Sequence, residues 1–180
     1  MNLVELKEIS PQIRLEILYA TPQNFTGQAV YSSARCFLTP ATARRIHRVQ
    51  LSLEKRGLGL KVFDGYRPLS VQKICWKLVP DPRFVADPAT GSRHNRGTAV
   101  DVTLIDERGC DLPMPTPYDE FSERAHCTYS GCSPDEALNR DLLGAAMSAE
   151  GFLPYPDEWW HFDDPDWEKY PILDIPFEAL

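Results

Sequence analysis

Two short stretches of this sequence carry side chains able to hold a metal and activate water. The first, Ser92-Arg93-His94-Asn95-Arg96-Gly97-Thr98-Ala99-Val100-Asp101, sets an imidazole and a carboxylate seven residues apart around a glycine. In one straight strand that odd spacing would send them to opposite faces. With His94 in a loop before a bend and Asp101 on the polar face of a strand, they can converge. Asp101 lies in a Val-rich strand, where an unpaired carboxylate is costly and calls for a cation or hydrogen-bond donors. An Asp on an exposed strand face and a loop histidine satisfied by its neighbours would explain these ten residues equally well.

The second stretch is Glu158-Trp159-Trp160-His161. No HExxH occurs, which excludes the helical zinc-protease motif. Glu and His three apart, after Pro154 and Pro156, suit a turn entering a strand, with His161 pointing into a site and Glu158 at its rim. Taken alone, His161 could be a core histidine, and Trp159 and Trp160 are expected to pack beneath rather than line a pocket. Together the two stretches supply two imidazoles, one ligating carboxylate and one spare carboxylate. A catalytic zinc site needs this inventory: three protein ligands, an open position and a base.

A third element, Asp64-Gly65-Tyr66-Arg67-Pro68, stands at the end of one strand and the start of a helix. A guanidinium fixed there can stabilise developing negative charge. A surface Arg at a helix start is the other reading, but the helix dipole disfavours a cation in that place. Cys127 and Cys132, beside His126, lack the paired spacing of a zinc site and read as thiols.

The elements that must position these residues can be read from caps and periodicity. Thr39-Pro40 opens a helix over about 40–56, with Ile46, Val49 and Leu53 on one face and Gly57 as its stop. A strand follows at 58–63, then a helix from Pro68 to about Val79 and a Pro-rich loop over 80–91. Ala99 to Leu104 reads as a strand, with Val100, Val102 and Leu104 on one face. Ser133-Pro134-Asp135-Glu136 is a capping box opening a helix to about Glu150. A strand pair is expected at 151–155 and 159–162, and residues 1–35 read as a strand feeding a long loop. The fold class is α+β, a small central antiparallel sheet flanked by helices.

Length and charge narrow the function. The 180 residues suit a single domain, 1–180, large enough to form a core without disulfides. With 19 Lys+Arg against 26 Asp+Glu, the net charge of −7 argues against nucleic acid as a partner. No apolar run approaches the roughly 18 residues of a membrane helix, so no membrane partner is expected. Glu5 and Glu8 stand where an export signal would need basic residues, and five scattered cysteines fit a reduced, cytoplasmic protein. The 16 prolines are well above the roughly 5% usual in globular chains and imply several stiff loops.

The three elements in this order, DGYRP, SxHxxGxAxD and ExWWH, resemble the D-alanyl-D-alanine dipeptidases. These belong to a wider zinc peptidase group with the D,D-carboxypeptidases, the L-alanyl-D-glutamate endopeptidases and the hedgehog signalling domain. Tyr19-Ala20-Thr21 with Asn24-Phe25-Thr26-Gly27 looks like the N-terminal signature of the dipeptidase branch. The resemblance implies one zinc ion per chain on His94, Asp101 and His161, Glu158 as catalytic base and Arg67 as transition-state stabiliser. It also implies Ser92 at the substrate carboxylate and Asp119, assisted by Tyr19, at its free amine. The substrate would be a small D,D-dipeptide. The loop from Arg67 to His94 is shorter than in the antibiotic-resistance members. Two other functions fit parts of the pattern: a D,D-carboxypeptidase or related peptidoglycan peptidase, and a non-catalytic zinc-binding module of the hedgehog kind. The pairing of Glu158 with Arg67 argues against the second, since a binding module needs neither base nor oxyanion donor.

Overall fold

In the computed structural model, which describes residues 2–180, the alternation around Val100 and Val102 becomes the middle of a five-stranded sheet. The elements run β1 (Val4–Glu5), α1 (Leu6–Ile9), β2 (Arg14–Leu15), β3 (Phe37–Leu38), α2 (Pro40–Glu54), β4 (Leu58–Asp64), α3 (Leu69–Leu78), β5 (Ala99–Asp106), α4 (Pro134–Ala149), β6 (Leu153–Pro154) and β7 (His161–Asp163). The main sheet has the order β2-β4-β5-β7-β6, and β1 with β3 form a separate antiparallel pair. The fold is α+β, as expected. The sheet itself is mixed: β4, β5, β7 and β6 are antiparallel neighbours, whereas β2 runs parallel to β4. That edge is parallel because β3 and α2 intervene as a crossover, which two parallel strands require.

Local chemistry sets the helix starts. Thr39 caps α2 by accepting the Thr42 N–H, with Pro40 in the first turn. The inward face of α2 carries Ala43, Ile46, Val49 and Leu53, all buried. Ser133 and Glu136 form the expected capping box on α4. Pro68 is the N-cap residue of α3, so that helix begins at Leu69, one residue later than its sequence suggests. The one strand expected in residues 1–35 is instead two of two residues each, Val4–Glu5 and Arg14–Leu15. The final strand pair is shorter than expected, because Tyr155 to Trp160 are taken up by a tight turn in which the Glu158 N–H reaches the Tyr155 carbonyl.

β4 and β5 are buried almost from end to end, so both faces of the sheet centre are covered. One irregularity in β4 redirects a carboxylate. Val62 pairs with Val102 but Asp64 pairs with Asp101, so Phe63 is an extra residue. By strict alternation Asp64 would lie on the face of Val62; the bulge turns it to the face of Asp101.

At the next residue, Gly65, a Cβ would come within 2.6 Å of Cys36 Sγ and 3.0 Å of the Phe37 carbonyl oxygen. Gly65→Ala should therefore destabilise the fold by about 1–3 kcal/mol, the usual cost of overpacking. A urea-denaturation midpoint unchanged from wild type would show that the β3–β4 contact yields freely.

Candidate metal centre

The register of the sheet brings the first two candidate ligands together. Asp101 of β5 lies directly across from His161 of β7, so their side chains share one face. His94 arrives from outside the sheet, in the one-turn helix His94–Arg96, which ends at Gly97 with φ of 67°. Only a glycine takes that backbone without strain, and the turn back into β5 depends on it.

Three atoms then converge. His161 Nδ1 lies 3.0 Å from Asp101 Oδ1, His94 Nε2 lies 3.1 Å from His161 Nδ1, and His94 Nε2 lies 3.4 Å from Asp101 Oδ1. The outer nitrogens fix which ring atoms carry protons. His94 Nδ1 is 2.7 Å from the Gly65 carbonyl, which can only accept. His161 Nε2 is 3.0 Å from Asp163 Oδ1. With those outer nitrogens donating, His94 Nε2 and His161 Nδ1 present lone pairs. Asp101 adds a third, since its other oxygen, Oδ2, accepts the Tyr118 hydroxyl at 2.9 Å. Three acceptors facing one another with no donor among them form a place for a cation. Tetrahedral zinc, with bonds of about 2.0–2.1 Å, spaces its ligands about 3.3 Å apart, close to the observed triangle. Among the described residues these three form the one such His/Cys/Asp/Glu group. Cys127 and Cys132 stand elsewhere as free thiols.

The triangle opens on a small cavity of about 80 Å³, whose lining includes Tyr19, Arg67, Ser92, Asp119, Glu158 and Trp160. Glu158 Oε2 stands 3.9 Å from His161 Nδ1. Burial pushes the Glu158 carboxyl well above its usual range, and the charges of Asp101 and Asp119 add to this against the pull of His161. Asp101 goes the other way: burial opposes its ionisation, but the charge of His94 and His161 when their rings are protonated outweighs it and holds the carboxyl well below the usual range.

Arg67 is locked in place. Its Nε and Nη2 donate to Asp64 Oδ2 at 3.0 and 2.8 Å, Nη1 donates to Gln72 Oε1 at 3.1 Å, and the group stacks over Tyr19. The bulge in β4 is what makes this possible, since it aims Asp64 inward. Ser92 Oγ accepts the His94 N–H at 3.2 Å, leaving its own hydroxyl proton free. Tyr19 donates to Asp119 Oδ2 at 2.8 Å. Burial, then the charge of Asp101, push Asp119 up to about 8 against that hydrogen bond.

All eight residues singled out in the sequence line this one cavity. Trp159 packs beneath it, its indole N–H on Thr116, whereas Trp160 reaches the cavity wall. Four supporting residues escaped the sequence reading. Tyr118 orients Asp101, and Asp64 and Gln72 anchor Arg67. Asn95, fully buried, joins the two segments by donating to the Arg67 carbonyl and accepting the Ser92 N–H. Asp64 and Asn95 lay within the motif stretches, Asn95 at a variable position; nothing local marks Tyr118 or Gln72.

A family model described as D-ala-D-ala dipeptidase, of the M15 peptidases, matches residues 1–177. The chain is 43% identical to the D-alanyl-D-alanine dipeptidase of Escherichia coli K12, over 99% of this chain and 93% of that one. It is 33% identical to the D-alanyl-D-alanine dipeptidase of Enterococcus faecalis, over 92% of each chain. A relative of the same name in Streptomyces coelicolor is also 33% identical, over 86% of this chain and 87% of its own.

Asp101→Asn should leave a folded protein with little bound metal, a loss larger than the roughly 10–100-fold expected when only an outer partner of a ligand is removed. Elemental analysis after dialysis checks this. Wild-type metal content in the variant would exclude Asp101 as a ligand.

Proposed function

Because the chain belongs to the D-Ala-D-Ala dipeptidase family of M15 metallopeptidases, we propose that it hydrolyses the D-alanyl-D-alanine dipeptide to free D-alanine with the help of zinc. The observation that carries this reading is the convergence of three lone pairs, a buried carboxylate and a locked guanidinium on one small cavity. Zinc held by His94, Asp101 and His161 would acidify water and polarise the scissile carbonyl. Glu158 accepts the proton of the attacking water and delivers it to the leaving amine. Burial raises its carboxyl above the usual range, and the charge of a bound cation would draw it back down.

Arg67 has five N–H donors, and three are engaged on Asp64 and Gln72. The two that remain serve the oxyanion, and the rigid mount means that little reorganisation is needed as charge develops. A dipeptide carries an amine and a carboxylate at its two ends. Asp119 with Tyr19 receives the amine, and the free hydroxyl proton of Ser92 meets the carboxylate. The lining also includes Phe25, Phe84 and Phe121, and in this reading they stop a peptide extended at its amino end. The activity would be cytoplasmic and act on free dipeptide.

Glu158→Ala should keep its zinc and lose about 10²–10⁴-fold in kcat, the range expected for a general base. Near-normal hydrolysis in a zinc-loaded Glu158→Ala protein would remove that residue from the chemistry. Arg67→Lys should lose about 10²–10³-fold in kcat, because a point charge does not reproduce the anchored fork. D-Ala-D-Ala should be cut, and stop being cut when a chelator is added, while a pentapeptide ending in D-Ala-D-Ala is left intact. Comparable rates on both substrates, followed by chromatography of released D-alanine, would favour a D,D-carboxypeptidase.

A further inference from the structure

We infer that Asp163 is a positioning residue for the metal centre, holding the ring of His161 and tying the strand that bears it to the turn that bears His94. This role rests on the proposed metal site of His94, Asp101 and His161. Three observations carry it.

First, Asp163 lies two residues beyond His161 in β7, and strand alternation puts both side chains on one face. Its cross-strand partner is Ala99, whose small side chain leaves room there. Asp163 is 8% exposed, and its Oδ1 is 3.0 Å from His161 Nε2, the ring atom that faces away from the ligand triangle.

Second, the other carboxylate oxygen faces a cation across the site at ion-pair range. Asp163 Oδ2 lies 3.6 Å from Arg93 Nε, an atom buried without a hydrogen-bond partner. The Arg93 guanidinium sits 4.6 Å above the Trp167 ring, which limits where it can move. Arg93 immediately precedes His94, so one carboxylate bridges the two segments that supply the imidazoles.

Third, the two histidines are held by unlike groups. His94 leans on a neutral backbone carbonyl, that of Gly65, whereas His161 leans on a carboxylate. An anionic acceptor fixes the tautomer and also strengthens the ring as a ligand. Of the two imidazoles, His161 is the one tuned by charge.

The test compares wild type, Asp163→Ala, Asp163→Asn and Asp101→Asn for zinc affinity, by competition with a chromophoric chelator, with circular dichroism of each metal-free protein as the folding control. Asp163→Ala should bind zinc about 10–100-fold more weakly, as expected when an outer partner is lost. Asp163→Asn keeps an acceptor oxygen without the charge and should fall between Ala and wild type. The visible absorption of the cobalt-substituted protein should shift in Asp163→Ala and recover most of its wild-type form in Asp163→Asn. Affinity in a folded Asp163→Ala within about twofold of wild type, far from the expected loss, would overturn the inference while leaving the metal site intact. If the Ala variant does not fold, the Asn variant decides: a several-fold loss supports the role, and wild-type affinity overturns it. A wild-type protein that binds zinc no better than Asp101→Asn would overturn the metal site and this inference together.

Discussion

The antiparallel pairing of Asp101 with His161 is the constraint on which the rest of the site depends. Two candidate ligand atoms 3.0 Å apart are supplied by neighbouring strands, so the register of β5 against β7 sets their separation. A slip of one residue would carry either side chain to the opposite face. The fold guards that register at both ends. At one end the Val102 N–H donates to the Trp160 carbonyl and the Trp159 N–H to the Ala125 carbonyl. At the other the Asp164 N–H donates to the Thr98 carbonyl, while the buried Asp164 side chain accepts from Thr42 and Arg45 of α2. The helix that covers the sheet thus also holds β7 in step.

His94 and Arg67 enter from loops, and loops need other restraints. The His94 turn is stitched to the Arg67 segment through Asn95 and through the Arg67 N–H, which donates to the His94 carbonyl. The Thr39 N–H donates to the Gly97 carbonyl, so the cap of α2 and the bend before β5 meet at one point. The proline-rich loop over 80–88 contributes at a distance. Gln72 donates to the Ala86 carbonyl and accepts from Arg67, so the loop steadies the guanidinium through one α3 side chain. Six of the 16 prolines stand where an irregular chain must present side chains in fixed positions: Pro68 next to Arg67, Pro154 and Pro156 before Glu158, and Pro80, Pro82 and Pro88 along this loop.

How much of the fold and the site is legible in the sequence depends on the range of each interaction. Helix starts are local: Thr39-Pro40 and Ser133-Pro134 satisfy their own backbone groups, and both caps lie where the residues imply. The convergence of His94 with Asp101 required only a bend at Gly97. The parallel edge made by β2 was not legible, because two residues carry no period and their pairing with Lys61 and Val62 is set by the crossover between β2 and β4. The bulge at Phe63 left a trace, since Phe63 breaks the alternation of Leu58, Leu60 and Val62. Its consequence, an inward Asp64, depends on the partner strand. Tyr118 and Asn95 act on residues 17 and 28 positions away, a range at which one sequence gives no spacing to follow. His161-Phe162-Asp163 is different: its i, i+2 relation is plain at the end of an expected strand, yet a carboxylate there carries no mark that separates a buried partner of His161 from a surface acid.

Charge explains why so many acids can share one cavity. Asp64 is matched by Arg67, which leaves Asp101, Asp119 and Glu158 around the same small space. Asp101 is held ionised by positive charge at the triangle, which protons on the two imidazoles supply to the bare protein, and its own charge is one reason that Asp119 and Glu158 resist losing their protons. Like charges in a desolvated site raise one another, and a cation on the ligand triangle acts in the opposite direction on all three. A carboxyl beside an empty triangle would hold its proton more tightly than the same carboxyl beside a filled one. The same electrostatics that make the cavity costly to the bare protein would therefore couple a cation on the triangle to the protonation of the acids beside it.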